Sequence, residues 1–93
     1  MTEKQQVHMI VSGRVQGVFF RDFTQRQAAK LGLSGWVRNT DDGKIEIMAE
    51  GDNIKLNEFI KIVKVGPEHS QVKDCQVVWN NFTKGFSDFE IIY

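Results

Sequence analysis

Residues 13 to 23 read GRVQGVFFRDF. Gly13 and Gly17 stand four apart, and Val18, Phe19 and Phe20 run directly into Arg21, where a helix-like pattern begins. An arginine carries a permanent charge on a planar fork that matches phosphate oxygens. Glycines let backbone N–H groups turn toward one point, and a helix start adds unpaired amides with a partial positive charge. Together these make a nest for an anion, most often phosphate. Val18, Phe19 and Phe20 are expected to anchor the loop from behind so that the amides stay aimed. Spacing alone also fits an ordinary strand-to-helix turn with a solvated arginine, because motifs this short recur by chance.

A second candidate is Asn39, in GWVRNTDDGKIEIMAEG over residues 35 to 51. Asparagine beside a hairpin commonly serves the turn itself. An amide side chain cannot act as a base, so any chemical role here is geometric. Thr40 is placed to support Asn39 by hydrogen bonding. His8 and His69 lack the carboxylate or cysteine company that a metal site needs. Cys75 reads as a small buried hydrophobe rather than a nucleophile.

The elements that must position these residues follow from periodicity. Val7, Met9 and Val11 alternate with His8, Ile10 and Ser12, which predicts a strand ending at Gly13. Phe20, Phe23, Ala28 and Leu31 share one helical face, and Gly32 supplies a stop. Residues 35–40 read as a second strand, and Asp41-Asp42-Gly43 as a hairpin turn. Residues 44–50 read as a third strand. Ile45, Ile47 and Ala49 share one face, and Lys44, Glu46, Met48 and Glu50 share a face expected to be wet. Asp52 or Asn53 can cap a second helix, in which Leu56, Phe59, Ile60 and Val63 make an apolar stripe before Gly66-Pro67. A fourth strand over 72–79, a turn over 80–85 and a short last strand containing Phe86, Phe89, Ile91 and Tyr93 complete the pattern. The expected fold is α+β. It is a ferredoxin-like split β-α-β sandwich, β-α-β-β-α-β plus a short C-terminal strand, with two helices on one face of a mostly antiparallel sheet.

Length and composition narrow the function classes. Ninety-three residues fit one domain, here 1–93. Twelve basic and twelve acidic residues cancel, so the phosphate-neutralising excess of a nucleic-acid binder is missing, and no nucleic-acid partner is expected. The single cysteine excludes an internal disulfide and a thiolate cluster, and suits a reducing, cytoplasmic setting. The start MTEKQQ is polar, and the apolar run after it is too short for a membrane span.

GRVQGVFFR and GWVRN…DGKIEIMAEG resemble the two signatures of the acylphosphatases. The similarity rests on Val15-Gln16-Gly17-Val18 followed by Phe20-Arg21, then on Gly35-Trp36-Val37-Arg38-Asn39, with Gly43 and Gly51 at matching offsets. Ile45 stands where the family more often has valine. The length, the element order and the aromatic-rich ending FSDFEIIY extend the resemblance over essentially the whole chain.

The resemblance implies hydrolysis of the carboxyl–phosphate bond of small acyl phosphates, releasing inorganic phosphate, with no metal, no cofactor and no covalent enzyme intermediate. It implies that Arg21 binds phosphate, that Asn39 orients the attacking water, and that the amides of Gln16, Gly17, Val18, Phe19, Phe20 and Arg21 form the cradle. A monomer with no membrane partner is expected.

Two rival readings share the scaffold. An RNA-binding module would stack bases on aromatics of its central strands, and GKIEIMAE carries none. A domain that binds phosphate or carbamoyl phosphate without turnover fits the same loop, and the physiological acyl group stays open. A metallochaperone would need a paired cysteine motif.

Overall fold

The computed structural model describes residues 3–93. The chain runs β1 (Lys4–Arg14), α1 (Phe20–Lys30), β2 (Ser34–Asn39), β3 (Ile45–Asp52), α2 (Asn53–Val65), β4 (Gln71–Asn81) and β5 (Phe89–Ile92). The five strands form one sheet in the order β4-β1-β3-β2-β5. Three of the four pairings are antiparallel, and β2 with β5 is parallel. The expected ferredoxin-like order is present, with β5 added beside β2. β1 and β4 extend beyond their predicted limits, β4 through residues expected to turn. Phe86 and Tyr93 fall outside β5.

Strand alternation sorts the residues onto two faces. Val7, Met9 and Val11 of β1, Ile45, Ile47 and Ala49 of β3, and Val37 of β2 are completely buried beneath the helices. α2 presents Leu56, Phe59, Ile60 and Val63 to them, as its stripe predicts. Each such side chain adds roughly 1.5–3 kcal/mol of burial. The Asp52 carboxylate caps α2 by accepting from the Ile54 amide at 3.1 Å. α1 buries Phe20, Thr24 and Ala28, spaced one turn apart. Phe23 lies at the margin of that stripe, its ring edge-on to Phe20 at 6.2 Å.

The strands do not end evenly. The β1–β4 register slips at Ser12/Gly13, where Gly13 takes φ 122°. A Cβ there would sit 2.1 Å from the Gln71 carbonyl oxygen, so only glycine allows β1 to turn out toward its loop.

The outer face of β3 is not uniformly wet. Glu46 is half-buried, and Glu50 is only 1% exposed. The segment after β4 brings Thr83 against Glu50. The Thr83 amide and hydroxyl donate to Glu50 Oε2 at 2.9 and 2.7 Å, and Gln6 Nε2 donates to it at 2.8 Å. Burial pushes the Glu50 carboxyl up. The Thr83 and Gln6 hydrogen bonds outweigh it and hold the group below its usual 4.5.

A depressed carboxyl stabilises the fold above its unfolded pKa, and that contribution is lost as pH falls through the folded value. Glu50→Gln should therefore cost about 1–3 kcal/mol in urea denaturation at neutral pH. The gap to the parent should close as pH drops below about 4. A gap independent of pH would show that the carboxylate charge is not what holds Thr83.

Candidate functional site

One row of the sheet fixes where the candidate residues stand. Val11 of β1 pairs with Ile45 of β3, and Ile45 pairs with Asn39 of β2. Asn39 thus ends β2 two strand spacings, about 10 Å, from the point where β1 departs. The β1–α1 loop and the β2–β3 hairpin emerge side by side at this end.

The loop is held by Val15 and Phe20, which are 1% and 2% exposed, and by half-buried Val18. Phe19 does not anchor it, contrary to the expectation from VFF. It is 83% exposed. The reason is backbone conformation: Phe19 sits at φ 62°, ψ 27°, just before the helix, and its side chain turns out of the stripe that Phe20 enters. A left-handed conformation in a non-glycine residue costs of order 1 kcal/mol. Gly17, at φ 74°, takes a similar conformation in open space, so glycine serves the backbone there rather than relieving a close contact.

The backbone turns at Gln16-Gly17, and among the described residues the amides from Gln16 to Arg21 have no backbone acceptor in good hydrogen-bond geometry. The first bond of α1 runs from the Phe23 amide to the Phe19 carbonyl at 3.0 Å. These donors lie at a helix N-terminus, where the partial charge is positive. Arg21 forms no ion pair among the described residues. Its guanidinium lies 4.8 Å over the ring of Tyr93. The adjacent carboxylate, Asp22, is engaged by Arg26 one turn further along. The positive charge of Arg21 is left uncompensated, beside a cleft of about 320 Å³ lined by Gly17, Phe19, Phe20, Arg21, Asp22, Ile91 and Tyr93.

Of the residues singled out in the sequence, Gly17, Phe19, Phe20 and Arg21 meet at this cleft. Gln16, Val18 and Asn39 do not line it. Asn39 is connected to it through Gln16. The Gln16 Nε2 group donates to the carbonyls of Thr40 and Lys44, each at 2.9 Å, and so ties the loop to the hairpin that follows Asn39. Thr40 does not support Asn39 with its hydroxyl. That group bonds the Asp42 carboxylate and accepts from the Lys44 amide at 2.9 Å, which closes the turn. The Thr40 hydroxyl, with Lys44 nearby, holds the Asp42 carboxyl below its usual value.

The other titratable candidates stand elsewhere. His8 Nε2 lies 2.7 Å from Glu46 on the opposite face of the sheet, where Arg38 Nε also donates to Glu46 at 2.6 Å. The His8 and Arg38 contacts hold the Glu46 carboxyl low against the opposing effect of burial. Cys75 is half-buried on β4, and burial pushes its thiol up, away from the reactive thiolate. Two contributions had no signal in the sequence: the Gln16 side chain as a clamp and Tyr93 as the platform for Arg21. Both depend on contacts between segments remote in the chain.

The element order defines an α+β protein of ferredoxin-like architecture, with a glycine-containing loop leading into the first helix at one end of its sheet. The acylphosphatase family model matches residues 7–91. An acylphosphatase of Dehalococcoides mccartyi is 45% identical over 85 residues, covering 90% of this chain and 93% of its own. An acylphosphatase of Bacillus subtilis is 47% identical over 88 residues, covering 95% of this chain and 97% of its own. The crystal structure of acylphosphatase from Bacillus subtilis superimposes with a TM-score of 0.93 at 46% identity, over 96% of this chain and 99% of that one. The chain belongs to the acylphosphatase family and is an enzyme of that family, a hydrolase. Among the described residues, no helix is long and apolar enough to cross a membrane.

Two substitutions test the local geometry by urea denaturation at neutral pH. Gln16→Ala should cost about 1–3 kcal/mol, since two part-buried hydrogen bonds are lost at about 0.5–1.5 kcal/mol each, while the Thr40 and Lys44 carbonyls keep their backbone donors. Phe19→Gly should stabilise the chain by about 1 kcal/mol, because the strained φ is relieved and little packing is lost. A destabilised Phe19→Gly would mean that the exposed ring contributes to folding after all.

Proposed function

We propose that the chain hydrolyses the carboxyl–phosphate bond of small acyl phosphates to a carboxylate and inorganic phosphate, and that it acts in the cytoplasm. The supporting observation is Arg21, without a carboxylate partner, beside the run of amides from Gln16 to Arg21 that precedes the first bond of α1. Arg21 and those amides receive the phosphoryl oxygens and stabilise the charge that builds on them in the transition state. Asn39 orients a water molecule in line with the departing carboxylate, a geometric role suited to a group that cannot take a proton. The water oxygen bonds to phosphorus as the bridging P–O bond breaks, and the carboxylate leaves with the bonding electron pair. A carboxylate is a stable leaving group at neutral pH, so no protein acid is needed. The water's proton passes to a phosphate oxygen or to solvent, not to a side chain.

Gln16 keeps the two halves of this machinery in register. Its two hydrogen bonds fix the cradle relative to the hairpin that carries Asn39. The chemistry asks nothing of His8, His69 or Cys75.

The test is hydrolysis of benzoyl phosphate, followed by ultraviolet absorbance with excess chelator present. The parent should turn over. Arg21→Ala should lose both turnover and inhibition by inorganic phosphate. Asn39→Ala should lose turnover by about a hundredfold or more while still binding phosphate, as expected when a positioned reactant is released. Full activity in Asn39→Ala would exclude the water-positioning role. A folded parent that binds phosphate without turnover would favour the reading as a binding domain.

A further inference from the structure

Phe19 presents a contradiction. Its backbone is held at φ 62°, a conformation that favours glycine, and its ring is 83% exposed. The fold gains neither relaxed backbone nor buried surface from it. Strain of this kind persists at sites where something other than stability depends on it. The ring lies on the cleft beside Arg21, and across the same cleft stand Tyr93, 94% exposed, and Ile91.

The cleft has two chemically distinct parts. The amides and Arg21 suit the phosphoryl oxygens, as proposed above. Phe19 and Ile91 offer those oxygens nothing, and Tyr93 offers only the hydroxyl at the tip of an otherwise apolar ring. The cleft volume of about 320 Å³ lies at the lower end of the range of small-molecule sites. Such sites combine apolar and aromatic walls with a few placed polar groups, which is the composition found here. Of the charged side chains in the lining, Asp22 is turned to Arg26, and Arg21 is committed to the phosphoryl end. Nothing in this lining compensates a charge on the acyl end of a substrate.

Resting on the acyl-phosphate reading, we infer that Phe19, Tyr93 and Ile91 form an acyl-group subsite that selects flat or bulky uncharged apolar acyl phosphates over small ones. Phe19 forms one wall. Tyr93 forms the other, while its ring face also holds the Arg21 guanidinium. The left-handed backbone at Phe19 has a purpose in this arrangement. It places the α1-side wall next to the cradle, on a residue whose amide belongs to the loop itself, so acyl and phosphoryl ends are recognised from one rigid segment.

The experiment separates binding from turnover. Phenacylphosphonate and acetonylphosphonate carry a methylene in place of the bridging oxygen and cannot be hydrolysed by this route. Calorimetric titration of the full chain should show the phenacyl analogue binding about tenfold more tightly, as expected for a half-buried ring. In Phe19→Gly that advantage should shrink to about threefold or less, and Phe19→Leu should keep most of it. In parallel, the ratio of kcat/KM for benzoyl phosphate to that for acetyl phosphate should fall in Phe19→Gly by a similar factor. Intrinsic reactivities cancel when this ratio is compared between parent and variant. Equal affinities for the two phosphonates in the parent, or a preference that neither Phe19→Gly nor Tyr93→Ala alters, overturns the subsite. A parent that discriminates between the phosphonates but hydrolyses neither acyl phosphate supports the subsite and overturns hydrolysis. A parent that hydrolyses both, with a ratio untouched by the variants, does the reverse.

Discussion

One side-chain nitrogen joins the two parts of the proposed site. Gln16 Nε2 spends both hydrogens on carbonyls of the β2–β3 hairpin, at Thr40 and Lys44. Without that clamp, the loop and the hairpin are merely neighbours at one end of a sheet. With it, the position of the amide run is set relative to Asn39. The neighbouring constraints all converge on this contact. The slip at Gly13 aims β1 toward the loop, Val15 and Phe20 fasten the loop to the core, and the Thr40 hydroxyl closes the turn that Gln16 grips. A glutamine suits the task because its amide offers two donors from one atom and carries no charge to compete with Arg21 for an anion.

Among the described residues, the acidic group in the cleft lining is engaged elsewhere, and Arg21 has no carboxylate partner. On the outer face, Arg38 and His8 both engage Glu46, and on α1 Arg26 takes Asp22. Arg21 faces the ring of Tyr93 instead. A ring face attracts a cation while leaving its N–H edge open to a ligand, which a carboxylate partner would not do. At the far end of the sheet, Glu50 shows the opposite arrangement: a carboxylate enclosed by donors, holding the segment after β4 in place.

Most of the fold was legible in the sequence because it rests on periodicity. The alternation in Val7–Val11 and Ile45–Ala49 and the stripe in α2 place the core almost residue by residue, and the hairpin signal at Asp41-Asp42-Gly43 lies where the chain turns. The proposed site is read from the sequence as a loop and an arginine, through glycine spacing and the resemblance, and the structure places Gly17, Phe19, Phe20 and Arg21 on one cleft. Three features were not legible, each for its own reason. Glu50 was assigned to solvent because the segment that covers it, near Thr83, has no periodic pattern. Phe19 was assigned to the interior because VFF is apolar throughout, and polarity does not reveal a single left-handed residue. The Gln16 clamp is a hydrogen bond across 24 and 28 positions, and such pairs leave no local trace.

That separation in sequence has a kinetic meaning. Helix α1, helix α2 and the β2–β3 hairpin can each form from contacts close in the chain. The site cannot. It needs β1 seated between β3 and β4, Gln16 on the hairpin, and the segment carrying Tyr93 returned beside β2 in parallel pairing. These closures are entropically expensive and come late when topology governs folding. A nascent or partly collapsed chain therefore has secondary structure but no assembled site, and catalytic competence arrives together with the completed topology.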